Sequence, residues 1–206
     1  MHKSSMANMD RCKRTYLDPA QLKNPNKKLK VVDIGSHDVN GSYRSLFDTA
    51  HYDYTGVDMV DGKGVDIRID DPYRIPIEDG SADCVISGQM LEHSEYFWLT
   101  FAEQVRILND TGFIFTIAPS KGFIHRFPVD CYRFHPDAYA ALAKLTNTVL
   151  IDCWMDNGSE WGDLVGVFVK GGTPNITPFD TGLIRSPAAK SIWATLTEPL
   201  RKLVGC

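Results

Sequence analysis

The sequence predicts an α/β fold: a mostly parallel sheet with helices on both faces and an antiparallel hairpin at its end. Three observations carry that reading. Short apolar runs of strand length alternate with stretches of helical period, which places parallel strands between covering helices. The first run, Leu29 to Ile34, passes through a turn containing Gly35 and Gly41 toward Ser42, an N-cap residue, so a strand delivers the chain to a helix N-terminus as nucleotide-type sites require. The last two runs, Thr148 to Trp154 and Leu164 to Val169, are separated by Asp156-Asn157-Gly158 without a helical pattern, and two such strands must pair antiparallel.

Each element has its own signal. After Ser42, the residues Tyr43, Leu46, Phe47 and Ala50 recur at the spacing of one helix face. Tyr54 to Val57 reads as the second strand and ends in Asp58, about 20 residues past the loop, where such folds place a carboxylate for ribose hydroxyls. A short strand follows around Val65 to Ile69, and Asp70 to Pro76 is loop because two prolines deny it regular structure. Ala82 to Ser87 is a buried strand whose carboxyl end carries Gly88 through His93. The helix expected next runs from about Ser94 to Leu108, with Phe97, Phe101, Val105 and Leu108 inward; Asn109 to Gly112 closes it, and Phe113 to Ala118 is the fifth strand. Pro119 to His135 is a long loop with four aromatic residues and several charges, a composition that argues for function rather than disorder. Pro136 opens a helix with Ala138, Tyr139, Leu142 and Leu145 on one face, and a weaker amphipathic helix is expected after Ser186-Pro187, stopped or kinked at Pro199.

Composition narrows the class. The chain has 206 residues, 43% hydrophobic and 23% charged, which suits one globular domain with short extensions. Neither a membrane span nor a signal-peptide stretch is present, so a cytoplasmic protein is expected. The five cysteines are scattered and never spaced as C-x-x-C; reduced thiols are expected, with no metal site. Eight Lys/Arg against two Asp make residues 1–30 basic, and the remainder of the chain is acidic. The basic stretch reads as a solvated, partly mobile leader with one weak helical piece, Asp18 to Lys23, and an acidic body disfavours a phosphate-tracking surface for nucleic acid. The expected organisation is a leader over 1–27, a catalytic domain over 28–170 and an extension over 171–206.

The ordered set Asp33-Ile34-Gly35-Ser36, Asp58, Asp70-Asp71 with Ile75-Pro76, and Ser87 through His93 resembles the class I S-adenosylmethionine-dependent methyltransferases, in particular the type 11 branch. The resemblance covers roughly Lys28 to Lys170 and implies a Rossmann-like, mostly parallel seven-stranded sheet with a terminal antiparallel hairpin. The runs Asp38 to Arg44 and His125 to Phe134 are similar to a subgroup associated with glycan and polysaccharide biosynthesis. The family's first loop is D-x-G-x-G-x-G; here His37 takes the second glycine position and Val39 the third, with Gly41 displaced.

The resemblance implies S-adenosylmethionine as cofactor, S-adenosylhomocysteine as product, and transfer of a methyl group to a hydroxyl of a sugar or glycan, with association with a glycosyltransferase as a possible setting. Asp33 is the expected partner of the cofactor's ammonium, with the Gly35, Ser36, His37 and Gly41 loop against its methionine end. Asp58 is expected on the ribose with Met59 beside it, Asp70 or Asp71 on the adenine amino group, and Gly88 and Gln89 at the strand end where open sheets collect ligands. A sugar hydroxyl is a poor nucleophile, so a base is useful: His125 and Asp130 are the candidates, His93 the third, with Tyr132, Arg133 and Phe134 shaping an acceptor pocket, or else the loop is a structural plug in which Arg133 pairs with Asp130 and the aromatic residues fill the core. Three other readings stay open. A nicotinamide dehydrogenase lacks its G-x-G-x-x-G here; a nucleic-acid methyltransferase lacks the Asn/Asp-Pro-Pro-aromatic run, Ser87 to Met90 standing in its place; a non-catalytic binding module is the third.

Overall fold

The computed structural model describes residues 2–23 and 25–171. The expected C-terminal helix and most of the extension lie outside the described residues. Seven strands form one sheet: β1 (Leu29–Ile34), β2 (Tyr52–Asp58), β3 (Ile67–Arg68), β4 (Ala82–Gly88), β5 (Leu108–Pro119), β6 (Thr148–Asp156) and β7 (Asp163–Lys170). Their order is β3-β2-β1-β4-β5-β7-β6. The first five are parallel neighbours, while β7 runs antiparallel to both β5 and β6. This is the Rossmann-like sheet of class I methyltransferases, and the terminal hairpin stands where the sequence placed it.

Alternate residues of each strand feed two cores. Val32, Ile34, Val85 and Ile114 face the helices α3 (Phe97–Ile107) and α4 (Pro136–Thr146), where Phe101, Tyr139 and Leu142 meet them. Val31, Cys84, Ile86, Phe115, Val165 and Val167 point the other way, onto the N-terminal segment. That segment corrects the reading of a solvated leader. It is helical from α1 (Lys3–Cys12) through a π-helical turn (Lys13–Leu17) to α2 (Asp18–Lys23), and Met9, Cys12 and Leu17 are buried against the sheet. Three of its positive charges are engaged at home: Arg11 lies 3.9 Å over the Trp154 ring, Lys13 pairs with Asp18 at 2.8 Å and Arg14 with Asp10 at 2.9 Å. The Tyr16 hydroxyl donates to Asp152 Oδ2 (2.8 Å), and Trp154 Nε1 donates to Asn8 Oδ1 (3.0 Å).

The helix expected over Tyr43 to Ala50 shrinks to one 3₁₀ turn, Tyr43–Leu46. Ser42 Oγ does cap it, accepting Arg44 N–H (3.2 Å), but Asp48 then turns the chain out by accepting the amides of Ala50 and His51 (3.1 Å each). α1 covers the sheet face that this helix would have covered. The Asn109 to Gly112 turn is absorbed into β5 as a bulge, because Ala82 faces Leu108 whereas Cys84 faces Phe113. The helix expected from Ser94 begins later, after a separate 3₁₀ turn at Leu91–His93. Leu145, expected on the buried face of α4, is 65% exposed; Ala143 is buried there with Tyr139 and Leu142.

Candidate active site

The carboxyl ends of β1, β2 and β4 open into one cleft of about 1000 Å³. Gly35, His37, Gly41, Asp58 and Met59 line its first wall, Gly88, Gln89 and Met90 its floor, and His93, His125, Phe127 and Trp161 the wall opposite.

The first wall is built by the exit from β1. Gly35 has φ +86° and donates its N–H to Val57 O (2.9 Å), so it crosses to β2 in a conformation that glycine adopts without strain. A Cβ there would stand 2.6 Å from Met90 Cγ, so the bare backbone is what lets Met90 lean over the loop. His37, at the family's second glycine position, lines this wall of the cleft. Its imidazole lies against Gly62, where a Cβ would come within 2.4 Å of Nε2. Asp58 ties both loops together: Oδ2 accepts His37 N–H (3.0 Å) and Oδ1 accepts Val60 N–H (3.1 Å). A carboxylate has about four lone-pair sites, so Asp58 retains acceptor capacity toward the cleft.

Asp33 and Ser36 stand one layer behind that wall. Burial pushes the Asp33 carboxyl up to about 7; Tyr54 donates its hydroxyl to Oδ2, and Oδ1 has no partner among the described residues. Ser36 Oγ, packed toward Gly56, is also without a partner there. Orphaned buried acceptors of this kind fit a bound cationic or hydroxyl-bearing group. Asp70 and Asp71 stand elsewhere. Asp70 accepts Arg68 (2.6 Å) and Asp71 accepts Tyr73 N–H (2.8 Å), and both flank a smaller hollow with Arg74. Of that loop the cleft receives Ile69, Pro72 and Tyr73 instead.

The floor is held from a distance. Gln89 has φ +57°, unusual for a residue with a side chain. Its Nε2 donates to Asp163 Oδ1 (3.1 Å), and the same buried carboxylate takes Ser4 Oγ (2.9 Å) and His2 Nε2 (3.0 Å). The N-terminal segment thus reaches the cleft, where His2 forms part of the lining.

The opposite wall comes from the long loop. Asp130, expected as a base, is instead a brace. Arg133 contacts it twice (2.5 and 2.8 Å), His125 N–H donates to it (2.7 Å), and the guanidinium holds its carboxyl well below the usual carboxylate range. The acceptor-pocket reading of Tyr132, Arg133 and Phe134 is corrected likewise. Phe134 is in the core against Phe97 and Tyr139, the Tyr132 hydroxyl donates to Glu95 O (2.8 Å), and none of the three lines the cleft. His93 and His125 do, with ring centroids 4.9 Å apart, edge to face. Val129 O accepts His93 Nδ1–H (2.6 Å), which leaves Nε2 as the free nitrogen. Burial lowers the His93 pKa, and pushes the neighbouring Glu92 carboxyl up to about 8.

Trp161, Tyr73 and Glu92 are the residues that the sequence pattern misses. Trp161 packs at a tilt on His125 (ring centroids 4.5 Å apart) and Phe123 (4.9 Å) from the turn before β7, far along the chain from the loop it packs against. Its one signal is a tryptophan in an otherwise polar turn.

The fold is that of a Rossmann-like class I methyltransferase, with a cleft at the carboxyl ends of its first, second and fourth strands. Residues 32–116 match a family model described as a methyltransferase domain, which indicates S-adenosylmethionine as the cofactor and supports a methyltransferase that depends on it. No curated protein sequence matches the chain. Among solved structures, the chain is similar to the 1,6-didemethyltoxoflavin-N1-methyltransferase of Burkholderia thailandensis bound to S-adenosylhomocysteine, with TM-score 0.57, 16% identity, and coverage of 82% of this chain and 88% of that one. It is also similar to the Haloferax volcanii chain solved in complex with the Trm112 methyltransferase activator (TM-score 0.55, 16% identity, 82% and 96% covered). A third is the trans-methyltransferase CalH in complex with S-adenosylhomocysteine (0.56, 17%, 72% and 52%). At these identities the likeness speaks for the fold. Among the described residues no helix is long and apolar enough to cross a membrane.

Proposed function

We propose that the protein transfers a methyl group from S-adenosylmethionine to a hydroxyl oxygen of a sugar or glycan. The observation that carries this reading is the continuity of the cleft, which joins the Gly35 and Asp58 wall to the two imidazoles in one volume of about 1000 Å³. The cofactor, when bound, supplies a sulfonium-activated methyl group; the chain must align the acceptor with it and exclude water. Gly35 gives the methionine end room, Asp58 accepts from the ribose, and Asp33 supplies an anionic oxygen toward the ammonium, directly or through water. His93 and His125 offer ring nitrogens to the acceptor's O–H, while Asp130 acts behind them by fixing the backbone of His125. Tyr73, Phe127 and Trp161 give the cleft aromatic faces on which a sugar ring's C–H face can lie.

Calorimetry tests the donor half first. Wild-type protein is expected to bind S-adenosylmethionine and S-adenosylhomocysteine saturably, and Asp58→Ala to weaken both by about 100-fold, the worth of one to two charge-assisted hydrogen bonds. A flat titration with folded protein would remove the methyl-donor reading. Saturable binding would be followed by an acceptor screen beginning with sugars, and turnover only on nitrogen or carbon acceptors would remove the hydroxyl.

Asp33 also gives the binding a pH dependence. Its carboxyl is raised to about 7 by burial, so below that pH it is increasingly protonated and loses its attraction for a cation. S-adenosylmethionine affinity is therefore expected to fall toward tenfold per pH unit between pH 7 and about 5.5, by linkage to one proton. Asp33→Asn should bind more weakly at pH 7 and with a flat profile. An equally steep profile in that variant would assign the proton elsewhere.

A further inference from the structure

We propose that Glu92, His93 and His125 form a binding site for one divalent transition-metal ion of the zinc type in the wall of the cleft. Each residue offers one ligand atom, and the three atoms lie within 4.8 Å of one another. His93 Nε2 is 3.8 Å from Glu92 Oε1. Two ligands held at about 2.0–2.2 Å from one ion stand roughly 3–4 Å apart, so this pair is already at ligand spacing, and His125 lies within 4.8 Å of both.

Three further observations point the same way. Both oxygens of Glu92 are fully buried without a hydrogen-bond partner among the described residues, and a lone carboxylate in such a place is costly unless a cation joins it. Arg133 attracts that carboxylate from a distance but makes no hydrogen bond or ion pair with it, its two terminal nitrogens being bound to Asp130. The Val129 carbonyl fixes His93 as the Nδ1–H tautomer and leaves Nε2 available, the outer-shell arrangement typical of metal-binding histidines. Finally, His93 and His125 line the cleft, so further coordination positions of an ion held there would open into it, as in catalytic rather than structural sites. Two imidazoles and one carboxylate suit a zinc-type ion, whereas magnesium and calcium favour an all-oxygen set. The sequence spacing gave no sign of this cluster, since Glu92 and His93 are adjacent and His125 arrives from the loop after β5.

Metal binding is independent of the methyl-donor reading and is measured separately from it; with an ion bound, the His93 and His125 ligand nitrogens hold the metal rather than the acceptor's O–H. The full chain, stripped with chelator, is titrated with cobalt(II) as a visible probe and with zinc in competition against a chromophoric chelator. One equivalent is expected, with cobalt d–d absorption and no thiolate charge-transfer band. Loss of an outer-shell partner already weakens metal sites by about 10–100-fold, so Glu92→Gln, His93→Ala and His125→Ala should each weaken binding by about 100-fold or more. Glu92→Gln nearly preserves shape and His125 is partly exposed, so these two variants keep the test decisive if His93→Ala does not fold. Absence of stoichiometric uptake by folded wild type, uptake unchanged in the variants, or a thiolate band placing the ion on a cysteine such as the exposed Cys131 would each overturn the site. Cofactor calorimetry on the same stripped sample shows which of the two readings has failed.

Discussion

Met9→Asp is expected to detach the N-terminal helix and lower the melting temperature by roughly 10–20 °C, the largest stability change that a single surface-to-core contact in this protein should give. Met9 is fully buried between the sheet and α1, beside Cys12 and Leu17. Truncating a buried methionine removes about 2–5 kcal/mol, and a carboxylate without a cation in its place adds the desolvation of a charge. At about 2–4 °C per kcal/mol for a chain of this length, the sum is most of the stability of an ordinary domain. Met9→Leu, which conserves volume, should stay within about 1.5 kcal/mol of wild type. Thiol labelling reports the same event locally. Cys12 is buried and its thiol pushed up to about 12 by that burial, and Cys84 lies buried below it in the sheet. Mass spectrometry should find both unlabelled in wild type and labelled in Met9→Asp. A variant that melts like wild type with Cys12 still protected would show that the helix is not what seals this face.

The same segment marks the limit of what the sequence could reveal. β1, β4 and β7 are legible because their apolar runs are buried on both faces, and the antiparallel end follows from the missing crossover helix. Gly35 and Asp58 are legible because a strand-to-loop transition demands a positive φ and a carboxylate near a fixed distance along the chain. α1 is not legible, since Met6, Met9 and Cys12 are few among polar residues and the helix owes its place to contacts with β5 and β7, more than a hundred residues away. Charge misled in the same way: Arg11 and Lys13 read as part of a solvated leader, although they are engaged by Trp154 and Asp18. Arg133 and Phe134 read as chemistry because aromatic and charged residues crowd a long loop. The folded chain decides for the other reading of that loop, with Arg133 bound to Asp130 and Phe134 inserted between α3 and α4, and leaves the segment from His125 to Val129 as the loop's contribution to the cleft.

Gly88→Ala is expected to lose S-adenosylmethionine affinity by more than tenfold and to lower the melting temperature by roughly 5–10 °C, although it adds a single methyl group. An ideal Cβ at Gly88 would lie 1.9 Å from the Tyr43 hydroxyl and 2.5 Å from two ring carbons. Tyr43 cannot step aside: it is fully buried, and its hydroxyl is hydrogen-bonded at 2.5 Å to Ser5 Oγ on α1. The added methyl must therefore push either β4's end into the cleft or Tyr43 out of its seat. Displacing Tyr43 moves the turn that closes the first wall of the cleft, and displacing Ser5 loosens the helix that holds Asp163 and, through it, Gln89. Tyr43→Leu, which removes the obstructing ring, should be destabilising alone yet partly relieve Gly88→Ala, with a coupling of about 1–3 kcal/mol between the two sites. Strict additivity in that cycle would show that Gly88 is required by something other than Tyr43. A Gly88→Ala protein with unchanged cofactor affinity would separate the seat of Tyr43 from the cofactor wall altogether.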